Sequence, residues 1–422
     1  MNGHSIGALI TGADYRGLGV VRSLGRKGIP VWVLNSSNHR LAAFSRYTTR
    51  AVSWPNGDES ARLEFLIKLS KEQGLDNWVL FPTDDEMVAM VARHYDTLRG
   101  HYRLTSPTKE QYGPICNKWL LHGLAAELKI DQPWTVCPGS RQELLELPCS
   151  FPVIVKPALR EAFNRLTAEK AWQADDRQML LAHYDEACKV LPKDLVLIQE
   201  VIPGPGEAQF SYAAVCAEGR PLASVVARRK RQFPTDYGRF STAVETVDDP
   251  GIVEASVRLI AALRYSGLIE VEFKRSSRDG RFKVIDLNPR VWGWHTLGAR
   301  AGVDFAYLQF LTACGEKVGE VRARSDVHWV RMNPDLAMAL LDILRGRLSV
   351  GEYFRWLRSP IETAIFNWDD PMPALLELPL MIRLQLKRVL NTRQTGIPTQ
   401  SQPNASPDFS QEAPLQQKTL VK

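Results

Sequence analysis

The sequence predicts an α/β region over its first hundred residues, then a mixed α+β region, then a helical extension. Three observations carry that reading. Short apolar runs alternate with helix-period segments up to about residue 105. From about 106 to 315 the strands lengthen and pair through hairpin turns, with helices between them. Residues 316–390 carry a helical apolar period, clearest through Leu336–Leu344. Residues 391–422 are rich in Gln, Ser, Thr and Pro and are expected to be disordered, because they offer too little apolar surface to offset chain entropy. The expected divisions are thus 1–105, 106–315, 316–390 and 391–422. With 422 residues, 45% of them hydrophobic and 24% charged, the chain has material for two or three ordinary cores.

Taken in order, Ile6–Thr11 reads as a strand running into a turn with Gly12, Gly17 and Gly19, followed by a helix over Val20–Lys27. Val31–Leu34 and Trp78–Phe81 are further strands, the latter ending in Pro82-Thr83-Asp84-Asp85-Glu86. Such alternation predicts βαβ units around a parallel sheet, whose ligands sit beyond the carboxyl ends of the strands. Both the glycine turn and the acidic cluster fall there. The glycines do not spell G-x-G-x-x-G, and the second strand ends in Leu34-Asn35-Ser36, without the acidic residue that would hold ribose hydroxyls. A NAD-dependent oxidoreductase is therefore disfavoured, and a tight turn with close helix packing explains the glycines as well. No glycine is followed by lysine, which excludes a P-loop.

The net charge of +6, from 53 Lys+Arg against 47 Asp+Glu, is too mild to indicate nucleic acid and suits anionic small molecules. Six dispersed cysteines without C-x-x-C spacing read as reduced thiols, not a zinc site or a disulfide framework. The amino terminus lacks a signal-peptide pattern, and no run reaches the roughly 18 apolar residues of a membrane span. The expectation is a cytoplasmic protein without a transmembrane segment. The apolar stretch Leu375–Arg388 can either pack on the rest of the protein or lie on a membrane surface or partner.

The most informative segment runs from Gly267 to Arg290. Both arms alternate, and Asp279-Gly280 marks a turn. With a loop over Arg278-Asp279-Gly280, Ser277 pairs with Arg281, Glu272 faces Asp286 and Glu270 faces Asn288. Val271, Phe273, Ile285 and Leu287 then point to a core, while three carboxylates and an amide share the other face. Opposed like charges on a sheet destabilise it. A hard divalent cation such as Mg²⁺ would relieve them, and Arg290 just beyond could clamp an anion. A solvated edge hairpin is the alternative.

Four further features stand out. Phe151–Lys156 is an apolar strand delivering a lysine at its end, and Asn117-Lys118 opens a helix to about Leu128. Leu195–Ile202 is a buried strand that breaks into a Pro/Gly bend carrying Glu207 and resumes at Phe210. Arg228–Arg231 form a short basic run suited either to phosphate or to water. The acceptor side is thinly marked, by Thr83–Glu86, Arg239–Thr242 and Trp292–His295.

The order Lys118, Lys156, Gln199-Glu200-Val201-Ile202, Glu207, Glu272 and Asp286-Leu287-Asn288-Pro289-Arg290 resembles the ATP-grasp superfamily, and within it the carboxylate–amine ligases near D-aspartate ligase and carbamoyl-phosphate-synthase-like proteins. The likeness covers about residues 106–315, preceded by what looks like the superfamily's Rossmann-like amino-terminal domain. It implies ATP and Mg²⁺ (or Mn²⁺) as cofactors, with Lys118 and Lys156 on the phosphates. The backbone at Glu200 and Ile202 would take the adenine, and Glu207 the ribose. Glu272, Asp286 and Asn288 would hold the metal, while Arg290 and Arg231 would serve catalysis. The implied reaction joins a small-molecule carboxylate, activated as an acyl phosphate with release of ADP, to an amine; a homodimer is compatible with this. A non-catalytic ATP-binding protein of the same fold is the alternative. Two departures are visible: Asp286 stands where many relatives carry Glu, and the stretch after Lys156 has no glycine, leaving Arg160, Asn164, Arg165 or Lys170 to cover the phosphates.

Overall fold

A computed structural model of the chain describes residues 6–36, 40–55, 57–159, 171–233 and 240–395, the side chains only as far as residue 383. The chain divides into two compact units, one of residues 1–112 and 204–384, the other of residues 113–203 and 385–422.

The first unit opens with five parallel strands, β1 (Ala8–Ile10), β2 (Val31–Asn35), β3 (Arg50–Ser53), β4 (Trp78–Phe81) and β5 (Tyr102–Leu104), in the order β3-β2-β1-β4-β5. The central strands β1, β2 and β4 are buried throughout, because helices cover both faces of such a sheet and continuous apolar runs can be satisfied there. The first helix, Tyr15–Gly25, starts five residues before the position expected from the apolar period. Asp14 is the reason: its carboxylate accepts the backbone N–H groups of Arg16 (2.9 Å) and Gly17 (3.3 Å) and so caps the helix. A Cβ on Gly17 would lie 1.9 Å from the Gly12 carbonyl oxygen, and one on Gly12 would lie 2.1 Å from Thr83 Oγ1. These glycines therefore allow close packing, and a carboxylate already occupies the helix terminus where a pyrophosphate would have to bind. Gly17→Ala should destabilise the protein by about 1–3 kcal/mol, because the obstacle is backbone that cannot rotate away. The shift in denaturant midpoint measures it.

The second unit holds an antiparallel sheet of β6 (Thr135–Val136), β7 (Val153–Pro157), β8 (Trp172–Ala174) and β9 (Val196–Glu200), in the order β6-β9-β7-β8. Val153, Val155, Val196 and Ile198 face a core completed by Leu180 and Tyr184 of the helix Arg177–Ala187. Arg160, Asn164, Arg165 and Lys170 lie outside the described residues.

The first unit then resumes with β10 (Gln209–Ala217), β11 (Arg220–Phe233), β12 (Phe240–Val247), β13 (Gly267–Arg275), β14 (Phe282–Asn288), β15 (Val321–Arg322), β16 (His328–Val330) and β17 (Ile361–Thr363). They form one sheet in the order β14-β13-β10-β11-β12-β16-β17, with β15 alongside β11. Residues 316–390 are mainly helical, as expected, and additionally contribute β15 to β17. The last helix, Met372–Thr395, carries regular structure into residues 391–395, where disorder was expected. Residues 396–422 lie outside the described residues.

Within this unit Asp370, 1% exposed, receives Arg22 Nε at 2.9 Å, Ser45 Oγ at 2.6 Å and the backbone N–H of Arg46 at 2.9 Å. Arg22 also donates to the carbonyls of Ile365 and Asp370, both at 2.7 Å, so one guanidinium ties the late segment to the first helix.

Candidate functional site

The β13–β14 hairpin has the expected register where it matters: Glu270 opposes Asn288 and Glu272 opposes Asp286. Its turn differs. Ser276 donates its N–H to Arg281, so Ser276, not Ser277, closes the loop, with Gly280 in the left-handed region at φ +75°. A bulge beyond Glu272 compensates, pairing Phe273 with Val284. Val284 consequently fills the core position expected for Ile285, which is half-buried.

On the polar face Glu270 is 5% exposed and Asn288 2%. Asn288 Nδ2 donates to Glu270 Oε2 (3.0 Å) and Glu272 Oε1 (2.7 Å), bridging the two carboxylates. Trp294 Nε1 donates to Glu270 Oε1 at 3.1 Å, and Gln209 Nε2 to Glu272 Oε2 at 2.6 Å. Burial, then the neighbouring Glu272 charge, pushes the Glu270 carboxyl up to about 7. Asp286 shares the face by register, but its Oδ1 accepts the Leu287 N–H at 3.0 Å. Among the described residues no three acidic, His or Cys side chains form a group able to hold a metal ion; the hydrogen-bonded core of this face is a glutamate pair bridged by an amide.

Raising the Glu270 pKa means the folded protein binds this proton more tightly than the unfolded chain does. Its contribution to stability is therefore complete at low pH and declines as pH rises through the interval from about 4.5 to about 7. Thermal unfolding across that interval in metal-free buffer should show the decline, and Glu270→Gln should flatten it.

Arg290, just past this hairpin, reaches the first residue of the helix that follows β4, donating Nε to Asp85 Oδ1 at 2.8 Å; its Nη2 lies 3.4 Å from Asn288 Oδ1. Asp84 caps the helix Asp85–Arg93, which fixes the acidic cluster beyond the strand end. Arg231, the other residue expected to serve catalysis, lies near the end of β11. It is buried in a bidentate pair with Asp335 (2.9 and 2.8 Å), and its guanidinium lies over the Trp356 ring at 4.4 Å. Thr242 and Tyr353 hydroxyls complete that carboxylate's shell. A register shift around Lys230 separates Arg231 from Arg229. Arg229, held by Ser241 and Gln232, is the member of the run whose charge is felt by Glu272 and Glu270, while burial lowers its own pKa. Glu207, in a short turn at Gly206–Ala208, pairs with Lys230 at 3.1 Å and is about half exposed.

In the second unit Asn117 caps the helix Lys118–Glu127, and the Lys118 N–H bonds the Ala158 carbonyl at 2.9 Å. The two predicted phosphate lysines thus lie on backbones joined two residues from Lys156. Both side chains are buried. Lys156 Nζ donates to Gln199 Oε1 at 2.7 Å, and Gln199 Nε2 donates to Thr135 Oγ1 at 2.8 Å. Glu200 exchanges backbone and side-chain bonds with Trp134, its N–H meeting the Trp134 carbonyl and its Oε1 the Trp134 N–H, both at 3.0 Å. Ile202 follows it, buried. Sequence reasoning missed Gln209, Arg229 and Gln199 as supports of this chemistry. Gln199 lies within the Gln199–Ile202 segment, and its polar side chain on an otherwise apolar strand was the available signal. In the Trp292-Gly-Trp294-His295 segment, Trp292 packs in the core and His295 donates to the Trp292 carbonyl, its ring held neutral by burial to about 4. Arg239 lies outside the described residues.

Residues 194–333 match a family model described as ATP-grasp in the biosynthetic pathway with Ter operon. The chain is 22% identical over 253 residues to D-aspartate ligase of Enterococcus faecium (strain Aus0004), a match spanning 54% of this chain and only 57% of that relative. Its fold is similar to that of an L-amino acid ligase from Bacillus licheniformis (TM-score 0.57, 16% identity, 73% of this chain and 74% of that one). It is also similar to the biotin carboxylase domain of the Hydrogenobacter thermophilus 2-oxoglutarate carboxylase, solved with MgADP, ADP and bicarbonate (TM-score 0.60, 14% identity, 77% and 74%). The antiparallel lysine-bearing sheet, the acidic hairpin and the matched segment thus converge: this chain has the ATP-grasp fold and carries an ATP-grasp domain.

Proposed function

We propose that the protein is an ATP-dependent ligase that activates a small-molecule carboxylate as an acyl phosphate, releasing ADP, and joins it to an amine. The observation that carries this reading is the Glu270–Asn288–Glu272 row with Arg290 at its end. Two carboxylates bridged by one amide proton-donor group form a concentration of negative charge that a divalent cation would relieve. Turning the Asn288 amide would offer Oδ1 in place of Nδ2, and Asp286 lies opposite Glu272 on the same face. Glu272, Asp286 and Asn288 are accordingly the proposed Mg²⁺ ligands, with Glu270 behind them, anchored by Trp294. The ion would neutralise charge on the transferred phosphate.

Lys118 and Lys156 would bind the phosphates, the backbone at Glu200 and Ile202 the adenine, and Glu207 the ribose. Gln199 would hold the Lys156 ammonium in place. The substrate carboxylate oxygen attacks the γ-phosphorus, the bond to the bridging oxygen breaks and ADP leaves. The amine then adds to the acyl carbon, and inorganic phosphate departs as the amide forms and the nitrogen gives up a proton. No protein nucleophile is needed, so catalysis would rest on positioning and charge, with Arg290 on the phosphoryl or acyl-phosphate oxygens. Incubating the protein with ATP and Mg²⁺ and measuring ADP across amino acids, amino sugars and dicarboxylates tests the proposal. ADP release dependent on one acid and one amine supports it. ATP binding without turnover for any pair would favour the non-catalytic reading.

A further inference from the structure

We infer that the carboxyl-terminal helices of the first unit form a face that docks on an anionic lipid bilayer. Among the described residues 21 large apolar side chains are exposed, and 14 of them fall between Met332 and Ile382. They are not scattered. On the helix Met332–Leu344, Asp335, Met338 and Ala339 are buried, while Leu336, Leu340 and Leu344, spaced four apart, form an outward stripe whose last member is 75% exposed. On the helix Val350–Leu357, Tyr353 and Trp356 turn inward and Val350 and Phe354 outward. The last helix repeats the pattern: Glu377 is buried, whereas Leu375, Leu378 and Ile382 are exposed. Trp368, 87% exposed, stands in the loop before it.

The buried sides are pinned together. Tyr353 Oη donates to Asp335, and Asn333 Nδ2 donates to Glu377 Oε2 at 2.6 Å. Three helices anchored through those groups each present the opposite, apolar side to solvent. A patch this rich in Leu, Phe and Trp exceeds what an isolated monomer surface needs.

Charge decides between occupants. Arg345, Arg347, Arg355, Arg358 and Arg383 are exposed in this region, whereas Glu352 is its one exposed acidic residue. A second copy docked through a two-fold axis would set two arginine-rich faces of the same charge against each other, and such like-charge juxtaposition is costly. An anionic bilayer accepts both components, with apolar side chains and Trp at the headgroup boundary and arginines on lipid phosphates. No helix among the described residues is long and apolar enough to cross the membrane, so the contact would be peripheral. This inference does not depend on the proposed ligase activity.

Co-sedimentation of the full chain with vesicles of phosphatidylcholine alone, or of phosphatidylcholine with 30% phosphatidylserine as a probe, tests it. Binding to the anionic vesicles, weakened by salt, is expected. At about 1 kcal/mol per basic residue near such a surface, R345Q/R355Q should lower the partition coefficient roughly 25-fold. L340E/L344E should abolish binding while leaving the unfolding temperature unchanged, since both side chains already face water. Equal binding to neutral and anionic vesicles, or none to either, would overturn the proposal. So would a concentration-dependent dimer dispersed by L340E/L344E in the absence of lipid.

Discussion

Glu272→Gln and Asp286→Asn should each lower ADP formation by a factor of about 10²–10³, the usual loss when one charge-stabilising group is removed from a reacting centre. The two substitutions keep side-chain size and shape and remove the negative charge, so charge is the main quantity changed. In Glu272→Gln the amide oxygen can keep the Asn288 bridge, and the new NH2 group is satisfied once the Gln209 amide turns to present its oxygen. Glu270 then loses the neighbouring charge that helps to raise its pKa, so the decline of stability toward neutral pH should lessen. The unfolding temperature of both variants should stay near that of the parent. Steady-state ADP release with saturating Mg²⁺, beside a thermal melt, reads both quantities. Near-normal turnover in both variants would remove Glu272 and Asp286 from the metal assignment. Normal metal-dependent stabilisation with lost turnover would place them in catalysis but not in metal binding.

The second large effect concerns stability. Asp370→Ala should cost about 3–5 kcal/mol, because it strands a buried guanidinium. Arg22 is only 4% exposed, and burial already lowers its pKa despite the carboxylate partner. Ser45 and the Arg46 N–H would lose their acceptor at the same time. Replacing both members, Arg22→Met with Asp370→Leu, should recover a good part of the loss, since apolar packing substitutes for a buried pair when neither charge remains. Denaturant unfolding of the single and double variants measures the coupling. A loss under 1 kcal/mol for Asp370→Ala would mean that the late segment is held by packing alone.

How much of this could be read in advance differs from one feature to another. The parallel sheet was legible because β1, β2 and β4 are buried on both faces, and continuous apolar runs of that length have few other solutions. The hairpin register was legible because Glu270 and Glu272 alternate with Val271 and Phe273, and a slip by one residue would have turned the carboxylates onto the apolar core face. The closing pair of its turn was not, since a bulge beyond Glu272 adds a residue without altering the alternation on either arm. The fate of the basic run was also hidden. Arg229 and Arg231 look equivalent in the chain, but Asp335, more than a hundred residues later, claims Arg231.

The sequence by itself determined what is local: which runs are strands, where Asn117 starts a helix, and which residues alternate onto one face of the hairpin. Those follow from spacing and backbone hydrogen bonding within a few residues. Only the tertiary structure decided which charges meet: Arg290 with Asp85, Arg22 with Asp370, and Asn288 between two glutamates. Long side chains on distant segments have many chemically equivalent partners, and selection among them comes from the packing that brings particular backbones together.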